Sequence, residues 1–156
     1  MKLRAVRDED CKLLWVWRND PEVKASAFES AVIPWYRHVA WFARRKKDSN
    51  CHMYIVLDRD DLPIGQVRLD IRADGSAETD VSIARAYRGR SYAAEAIELA
   101  SAHLFRITSV TRIVAIVRPE NMASIRTFEN AGFVHRGTQR TKGVDAVKLV
   151  LPRPLT

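Results

Sequence analysis

The segment at residues 87–91 could bind an anion. It reads Tyr-Arg-Gly-Arg-Ser and stands directly before a long amphipathic run. A helix that begins there leaves its first N–H groups without acceptors, and the helix dipole adds partial positive charge at that end. Gly89 lets the backbone approach a ligand closely, and Arg88 and Arg90 add full charges. These features suit a diphosphate best. A helix cap and turn without a ligand explains the same residues equally well.

The helices and strands predicted before residue 87 form two parts, which meet near residue 53. The first part predicts a short strand at residues 2–6, a helix that Asp8 caps and Asp20-Pro21 ends, and a second helix that opens at Pro34. The i, i+4, i+7 spacing in the second helix predicts a buried face of Trp35, Val39 and Phe42.

The rest of the chain follows strand and helix periods in turn. Strands are predicted at residues 53–57, 63–72, 77–84, 112–117, 133–140 and 145–151, and helices at 92–105 and 122–131. The simplest architecture is an α+β sheet with helices on both faces. A chain of 156 residues, 47% of them hydrophobic, suits one domain over residues 1–156.

Composition excludes some classes of protein. The net charge of +7 favours a polyanionic partner without choosing one, and no nucleic-acid-binding signature is visible. Cys11 and Cys51 are too few for a disulfide framework, and the scattered histidines form no metal-ligand set. No apolar run approaches the roughly 20 residues that span a bilayer, so we expect a cytoplasmic protein without a membrane partner.

Two segments resemble signatures of the GNAT superfamily of N-acetyltransferases. The first resembles the acetyl-CoA-binding signature Gln/Arg-x-x-Gly-x-Gly/Ala, with Arg88 at its first position and Ala93 at its last. Ser91 departs from the usual glycine. The second family signature is matched downstream by Asn121, Ser124, Phe128, Gly132 and Phe133.

The resemblance implies a fold and a donor site. The fold is a mixed, mostly antiparallel central sheet whose fourth and fifth strands splay apart, so that the pantetheine arm of acetyl-CoA pairs with the fourth strand. Asn121 is expected to contact the donor, to cap a helix, or both. The implied donor-binding residues are Ser82, Ile83, Arg88, Gly89, Arg90, Ser91, Tyr92, Ala93, Ala94, Asn121, Ser124 and Phe128.

The resemblance also implies direct transfer of an acetyl group to a primary amine, without a metal. An amine with a pKa near 10.4 needs a base at pH 7, because forming the free amine costs about 4 to 5 kcal/mol. Glu78 resembles the position of a catalytic glutamate in several relatives, and Asp80 is the second candidate. A strand N–H near Ser82 is expected to hold the oxyanion. Phe128 replaces the usual acidic tyrosine, so Ser124 or water is expected to protonate the thiolate.

The N-terminal helices resemble a subgroup with two kinds of acceptor. Its members include ribosomal-protein alanine acetyltransferases and acetyltransferases of nucleotide-linked amino sugars, such as those of pseudaminic acid synthesis. We expect a UDP-amino sugar, with a protein N-terminus or a non-catalytic CoA-binding role as alternatives. The implied acceptor residues are Arg18, Asn19, His38 and Trp41, although Trp41 and His38 equally suit a helix core. The chain is expected to be a monomer or a homodimer.

Overall fold

The computed structural model describes residues 1–155, which contain seven strands in a single sheet. The strands are β1 (Lys2–Ala5), β2 (Cys51–Leu57), β3 (Pro63–Ile71), β4 (Ser76–Ile83), β5 (Arg112–Val117), β6 (Val134–Thr141) and β7 (Val144–Pro152). The helices are α1 (Cys11–Arg18), α2 (Pro21–Ser26), α3 (Trp35–Lys47), α4 (Tyr92–Ile107) and α5 (Met122–Asn130). Single 3-10 turns occupy Asp8–Asp10 and Arg85–Tyr87. Over the described residues, no helix is both long enough and apolar enough to cross a membrane.

The strand order explains where the sheet opens. The order is β1-β2-β3-β4-β5-β7-β6, and every neighbouring pair is antiparallel except β4 and β5. The parallel pairing of β4 with β5 extends only from Ser76 to Glu78, opposite Arg112 to Val114. Beyond that point both strands continue without pairing each other. The predicted α+β class and the mostly antiparallel sheet are confirmed.

Two cores cover the two faces of the sheet, as predicted. The larger core packs Ile97 and Leu104 of α4 and Phe128 of α5 against the sheet. The smaller core joins α1 and α3 to the opposite face and contains Leu14, Phe42, Ile55 and Leu57. Because successive strand residues point to opposite faces, β2 supplies Val56 to the first core and Ile55 to the second.

The predicted buried face of α3 is confirmed at Phe42 but was wrong for Trp35 and Val39. Trp35 and Val39 are 44% and 40% exposed, whereas His38 and Phe42 are buried. His38 can lie inside because both of its ring nitrogens have hydrogen-bond partners, which removes most of the cost of burying a polar group.

Pro21 begins a helix in addition to following one. The side chain of Asp20 accepts hydrogen bonds from the amides of Glu22 and Val23, and Pro21 occupies the first helical position. Asp at an N-cap followed by Pro is a strong helix start. The sequence prediction took this pair as a helix end only, and so it missed α2.

Candidate functional site

A cavity of about 470 Å³ fills the gap that opens between β4 and β5. Its walls are formed by residues 79–83 of β4, by residues 116–118 at the end of β5, and by side chains of α2 and α5. The gap exists because strand pairing stops at Glu78 and Val114. The cleft is therefore an opening within an otherwise continuous sheet.

The backbone of β4 presents alternate residues to this cleft. On the β3 side, the Ser76 carbonyl accepts a hydrogen bond from the Arg72 N–H at 2.8 Å, and the Ala84 N–H donates to the Ile64 carbonyl at 2.7 Å. Since neighbouring strand residues direct their backbone groups to opposite edges, Val81 and Ile83 direct theirs into the cleft. The carbonyl of Ile83 accordingly accepts a bond from Arg88 rather than from β3. Near Ser82, where the sequence predicts an N–H that holds the oxyanion, the N–H that faces the cleft is that of Val81.

The start of α4 carries unpaired amides, as an anion site requires. Among residues 1–155, the N–H groups of residues 89–94 have no backbone or side-chain acceptor. Gly89 and Ser91 have φ of +78° and +64°, so the chain curls at this point. Gly89, Arg90 and Ser91 are exposed, while Tyr92, Ala93 and Ala94 are half-buried. Successive N–H groups that converge in this way form an anion-binding concavity.

Arg90 and Arg88 differ in their availability. Arg90 lies 5.9 Å from the Tyr87 ring and has no acidic partner in the described part of the chain. Arg88 is fully engaged: Nε donates to the Ile83 carbonyl at 2.8 Å, Nη1 to Glu22 at 2.7 Å, and Nη2 to Asp20 at 3.2 Å. Arg88 lines the cleft, and its role in binding an anion stays a prediction, although Glu22 and Asp20 already bind its guanidinium. Through these bonds Arg88 ties α2 to the loop before α4.

The start of α5 lines the other wall of the cleft. Asn121 caps this helix, because its Oδ1 accepts a hydrogen bond from the Ser124 amide at 3.2 Å. Asn121, Ser124 and Phe128 all line the cavity. Phe128 is 4% exposed and packs edge-on against Phe133 at 5.1 Å between centroids. Asn121 and Ser124 are therefore polar residues of this wall, and their predicted contacts with the donor stay predictions.

The two candidate carboxylates lie in different surroundings. Glu78 is in the last residue pair that still joins β4 to β5; it is ion-paired with Arg72 and does not line the cleft. Asp80 is exposed, lines the cleft, and accepts a hydrogen bond from Gln66 Nε2 at 3.0 Å. Both carboxylates stay candidates for the base, and Asp80 is the one that lines the gap.

A second, smaller recess adjoins the cleft on the α1 and α3 side. The two cavities share Asp80 and Ser82. Arg18 and Trp41, both predicted to bind an acceptor, line the recess, and the Arg18 guanidinium lies 4.3 Å from the Trp41 ring centroid. The remaining lining residues are Val6, Leu14, Trp17, Met53, Gln66 and Arg68.

Asn19 and His38 serve the framework of this recess. The Asn19 amide bridges the N–H and the carbonyl of Ile33, at 2.9 and 3.2 Å. His38 is 0% exposed, so the expectation that it contacts an acceptor is wrong. Its Nε2 lies 2.8 Å from the Cys11 carbonyl and its Nδ1 lies 3.3 Å from Arg18 Nη1. Nε2 therefore carries the proton and Nδ1 accepts from the arginine, as in a neutral imidazole.

Three features of the cleft were not predicted from sequence. Thr79 lines it with a buried hydroxyl that has no hydrogen-bond partner. Arg118, directly after β5, lines the cleft and donates to the Ala27 carbonyl at 3.3 Å, and Glu22 lines it from α2. The alternating pattern of β4 predicts the face of the sheet on which Thr79 lies. It does not predict the gap between β4 and β5. Within residues 1–155, no group of three or more potential metal ligands occurs.

Comparison with known proteins defines the family. Residues 1–134 match the family described as "Acetyltransferase (GNAT) domain", so the chain belongs to the GNAT acetyltransferases. It is 33% identical over 100 residues to the probable N-acetyltransferase YjcK of Bacillus subtilis (strain 168), which covers 62% of this chain and 55% of that protein. The chain thus spans about half the length of this relative.

Solved structures with the same fold bind CoA. The spermidine N-acetyltransferase of Vibrio cholerae, solved with CoA and spermine, superposes with a TM-score of 0.87 at 22% identity, covering 97% of this chain and 95% of that chain. The aminoglycoside acetyltransferase AAC(6')-Ib, solved with coenzyme A and kanamycin, gives 0.86 at 22% identity, covering 97% and 94%. At these identities the likeness establishes the fold.

The buried His38 should make stability depend on pH. Burial of the ring lowers the pKa of His38, and the Arg18 charge acts in the same direction, against the bond to Cys11. Below the unfolded pKa of about 6.5, His38 binds a proton in the unfolded chain but not in the folded chain. The free energy of unfolding should therefore fall as the pH drops from about 6.5 towards the lowered folded pKa.

Urea unfolding between pH 7.5 and 5 measures this slope, and His38→Asn should reduce it. His135→Asn, at an exposed position on β6, is the control that should keep it. His52, whose pKa burial also lowers, is present in all three proteins and leaves a residual slope. An identical slope in the wild type and His38→Asn would show that the imidazole is not held neutral.

Proposed function

We propose that this chain transfers an acetyl group from acetyl-CoA directly to a primary amine in the cleft between β4 and β5. The observation that carries the proposal is the row of unpaired amides at residues 89–94, at one end of a cleft that has Asp80 on its wall. Membership of the GNAT family and the CoA-bound structures of similar fold support it.

The donor substrate fits the cleft in two parts. The amides of residues 89–94, with the charge of Arg90, bind the diphosphate. The free edge of β4 at Val81 and Ile83 pairs with the extended pantetheine arm, as an added strand pairs with a sheet edge. Ser124 and Asn121 approach the arm from α5. Phe128 supplies an apolar wall without a proton to donate.

Asp80 provides the base for the amine. It lies where the cleft and the recess meet, so an amine that enters from the recess reaches the thioester beside this carboxylate. Removing the proton of the ammonium form, directly or through water, supplies the nucleophile at neutral pH. The Val81 N–H then stabilises the oxyanion, which is positioned by a rigid strand. The thiolate, with a pKa near 8.5, needs little assistance on leaving, and Ser124 can protonate it.

A nucleotide-linked amino sugar is the acceptor that we propose. The recess is lined by Arg18 and by the Trp41 ring, which suit a phosphate and a planar base at its mouth. Arg68, although paired with Asp70, adds positive charge to the same wall. The spermidine and aminoglycoside acetyltransferases of similar fold act on amines with several positive charges, which these arginines would repel. A peptide N-terminus offers the amine without a fixed anion.

An acceptor assay tests this assignment. Release of the CoA thiol is measured with UDP-linked 4-amino sugars, with peptides that have a free N-terminus, and with spermidine and kanamycin. We expect turnover with the UDP-sugars. Turnover with peptides alone would refute the sugar assignment. Acetyl-CoA binding by calorimetry without any turnover would favour a non-catalytic CoA-binding protein.

Asp80 and Glu78 form a matched pair for testing the base. Asp80→Asn should lower kcat about 10²- to 10⁴-fold, the usual contribution of general base catalysis, because the amine stays protonated. Glu78→Gln should keep kcat within about twofold, because Glu78 does not line the cleft. Calorimetric titration should give the same acetyl-CoA Kd for both variants. Loss of turnover in Glu78→Gln with an active Asp80→Asn would reverse the assignment.

Substitutions of Ser91 test whether the unpaired amides of residues 89–94 bind the diphosphate. Its φ of +64° is left-handed, which glycine adopts freely and a β-branched residue strongly resists. Ser91→Val should cost about 1–2 kcal/mol in the alignment of the loop, and so should raise the KM for acetyl-CoA about 5- to 30-fold. Ser91→Gly should leave this KM equal or lower. Equal KM values for both variants would place the diphosphate elsewhere.

A further inference from the structure

Arg18 differs from the other arginines around the recess. Arg45 and Arg68 share the carboxylate of Asp70, at 2.6 and 3.0 Å. Among residues 1–155 no carboxylate lies within salt-bridge distance of Arg18, and the one hydrogen-bond partner of its side chain there is His38 Nδ1 at 3.3 Å. Burial, and then the charge of Arg68, lower the pKa of Arg18, whereas the charge of Asp80 raises it. A half-buried guanidinium without a salt-bridged carboxylate is costly unless a ligand supplies an anion.

The guanidinium is held in a fixed orientation. Its central carbon lies 4.3 Å from the Trp41 ring centroid, which fixes its plane by a cation–π contact. His38 holds one edge, and His38 is itself fixed by its bond to the Cys11 carbonyl and by the rings of Trp41 and Phe42, at 5.6 and 6.3 Å between centroids. The remaining N–H donors of Arg18 are available on the side of the recess.

The walls of the recess restrict what can meet Arg18. Val6, Leu14 and Met53 make part of it apolar, and Asp80 provides a carboxylate at the border with the cleft. One cation and one anion on a shared wall complement a molecule that carries both charges a short distance apart. Arginine binds carboxylates and phosphates through paired N–H groups, so either oxyanion fits.

We propose that Arg18 binds an oxyanion carried by the acceptor close to its reactive amine, and that His38 is the positioning residue for Arg18. This inference rests on the proposed function, because it assigns the acceptor of the same transfer. It requires an acceptor that is zwitterionic: the amine lies beside Asp80, and a carboxylate or a phosphate lies on Arg18. Neutral amines and polycations lack the second contact.

Matched amine pairs test the need for an oxyanion. The pairs are phosphoethanolamine and ethanolamine, β-alanine and β-alaninamide, and a UDP-linked 4-amino sugar and its free sugar, with spermidine as a polycation. We expect kcat/KM to be at least 10-fold higher for the anionic member of at least one pair. The pair with the largest ratio distinguishes a phosphate from a carboxylate. Equal rates within every pair, or a preference for spermidine, would overturn the proposal.

Two variants assign the preference to Arg18. Arg18→Gln should raise the KM of the anionic acceptor at least 10-fold and leave the KM for acetyl-CoA unchanged. Arg37→Gln, at an exposed position on α3, is the matched control and should keep both values. Retention of the anion preference in Arg18→Gln would overturn the proposal.

His38 should act through Arg18 and not through the fold alone. The amide of Gln can donate to the Cys11 carbonyl and accept from Arg18, as His38 does, whereas Leu can do neither. His38→Leu should therefore raise the acceptor KM with little change in kcat or in the acetyl-CoA KM, and His38→Gln should restore much of the affinity. Equal acceptor KM values in the two variants would remove the positioning role.

A binding measurement separates this inference from the proposed function. The Nε–H resonance of Arg18 is assigned in ¹⁵N-labelled CoA-loaded protein by its loss in Arg18→Gln. Phosphoethanolamine or β-alanine should shift this resonance, and ethanolamine should not. If no amine is acetylated, the proposed function fails, but such a shift still supports the oxyanion site. No shift with any anionic amine overturns it.

Discussion

Three residue pairs hold β4 beside β5, and the geometry of the site follows from the point at which this pairing ends. The paired ends are fixed by burial, since Ala77 and Ile113 are both 0% exposed. Beyond Glu78 the sheet has two free edges that face each other across a cavity. Backbone groups on such edges need partners, and an extended ligand can supply them. The cleft is thus produced by the sheet itself.

The backbone groups and the side chains of β4 serve different parts of the site. Val81 and Ile83 direct backbone groups into the cleft, while the side chains of Asp80 and Ser82 border the recess on the α1 and α3 side. The donor and the acceptor therefore approach one strand from different directions, and Asp80 lies where they meet. Arg88 also fixes the position of α2 beside the cleft, because its side chain is hydrogen-bonded to Asp20 and Glu22.

The sequence predicted the features that depend on short segments. The helix start at residues 89–94, the Asn121 cap, the strands and the two-faced sheet follow from local periods, caps and signatures. The choice between Glu78 and Asp80 depends on where two strands separate, although those strands are more than 25 residues apart in the chain. No local pattern contains this information.

The other features that the sequence did not predict have the same origin. Glu22 binds Arg88 across 66 residues, and Cys11 bonds His38 across 27, so neither partner is visible in a local pattern. The edge on which Ser82 lies is fixed by the hydrogen bonds of Ser76 and Ala84, which a period of two does not specify. Among the missed features, α2 alone could have been predicted from a local pattern, because Asp20 and Pro21 are typical of a helix start as well as of a helix end.

Amide hydrogen exchange of β4, followed by NMR with and without acetyl-CoA, tests the central claim most directly. The amides of Val81 and Ile83 should exchange rapidly in the free protein and become protected when acetyl-CoA is added, as should those of residues 89–94. The Ser82 amide should be protected in both states. Protection of Val81 and Ile83 in the free protein, or exchange that acetyl-CoA leaves unchanged at these positions, would contradict a donor site on the free edge of β4.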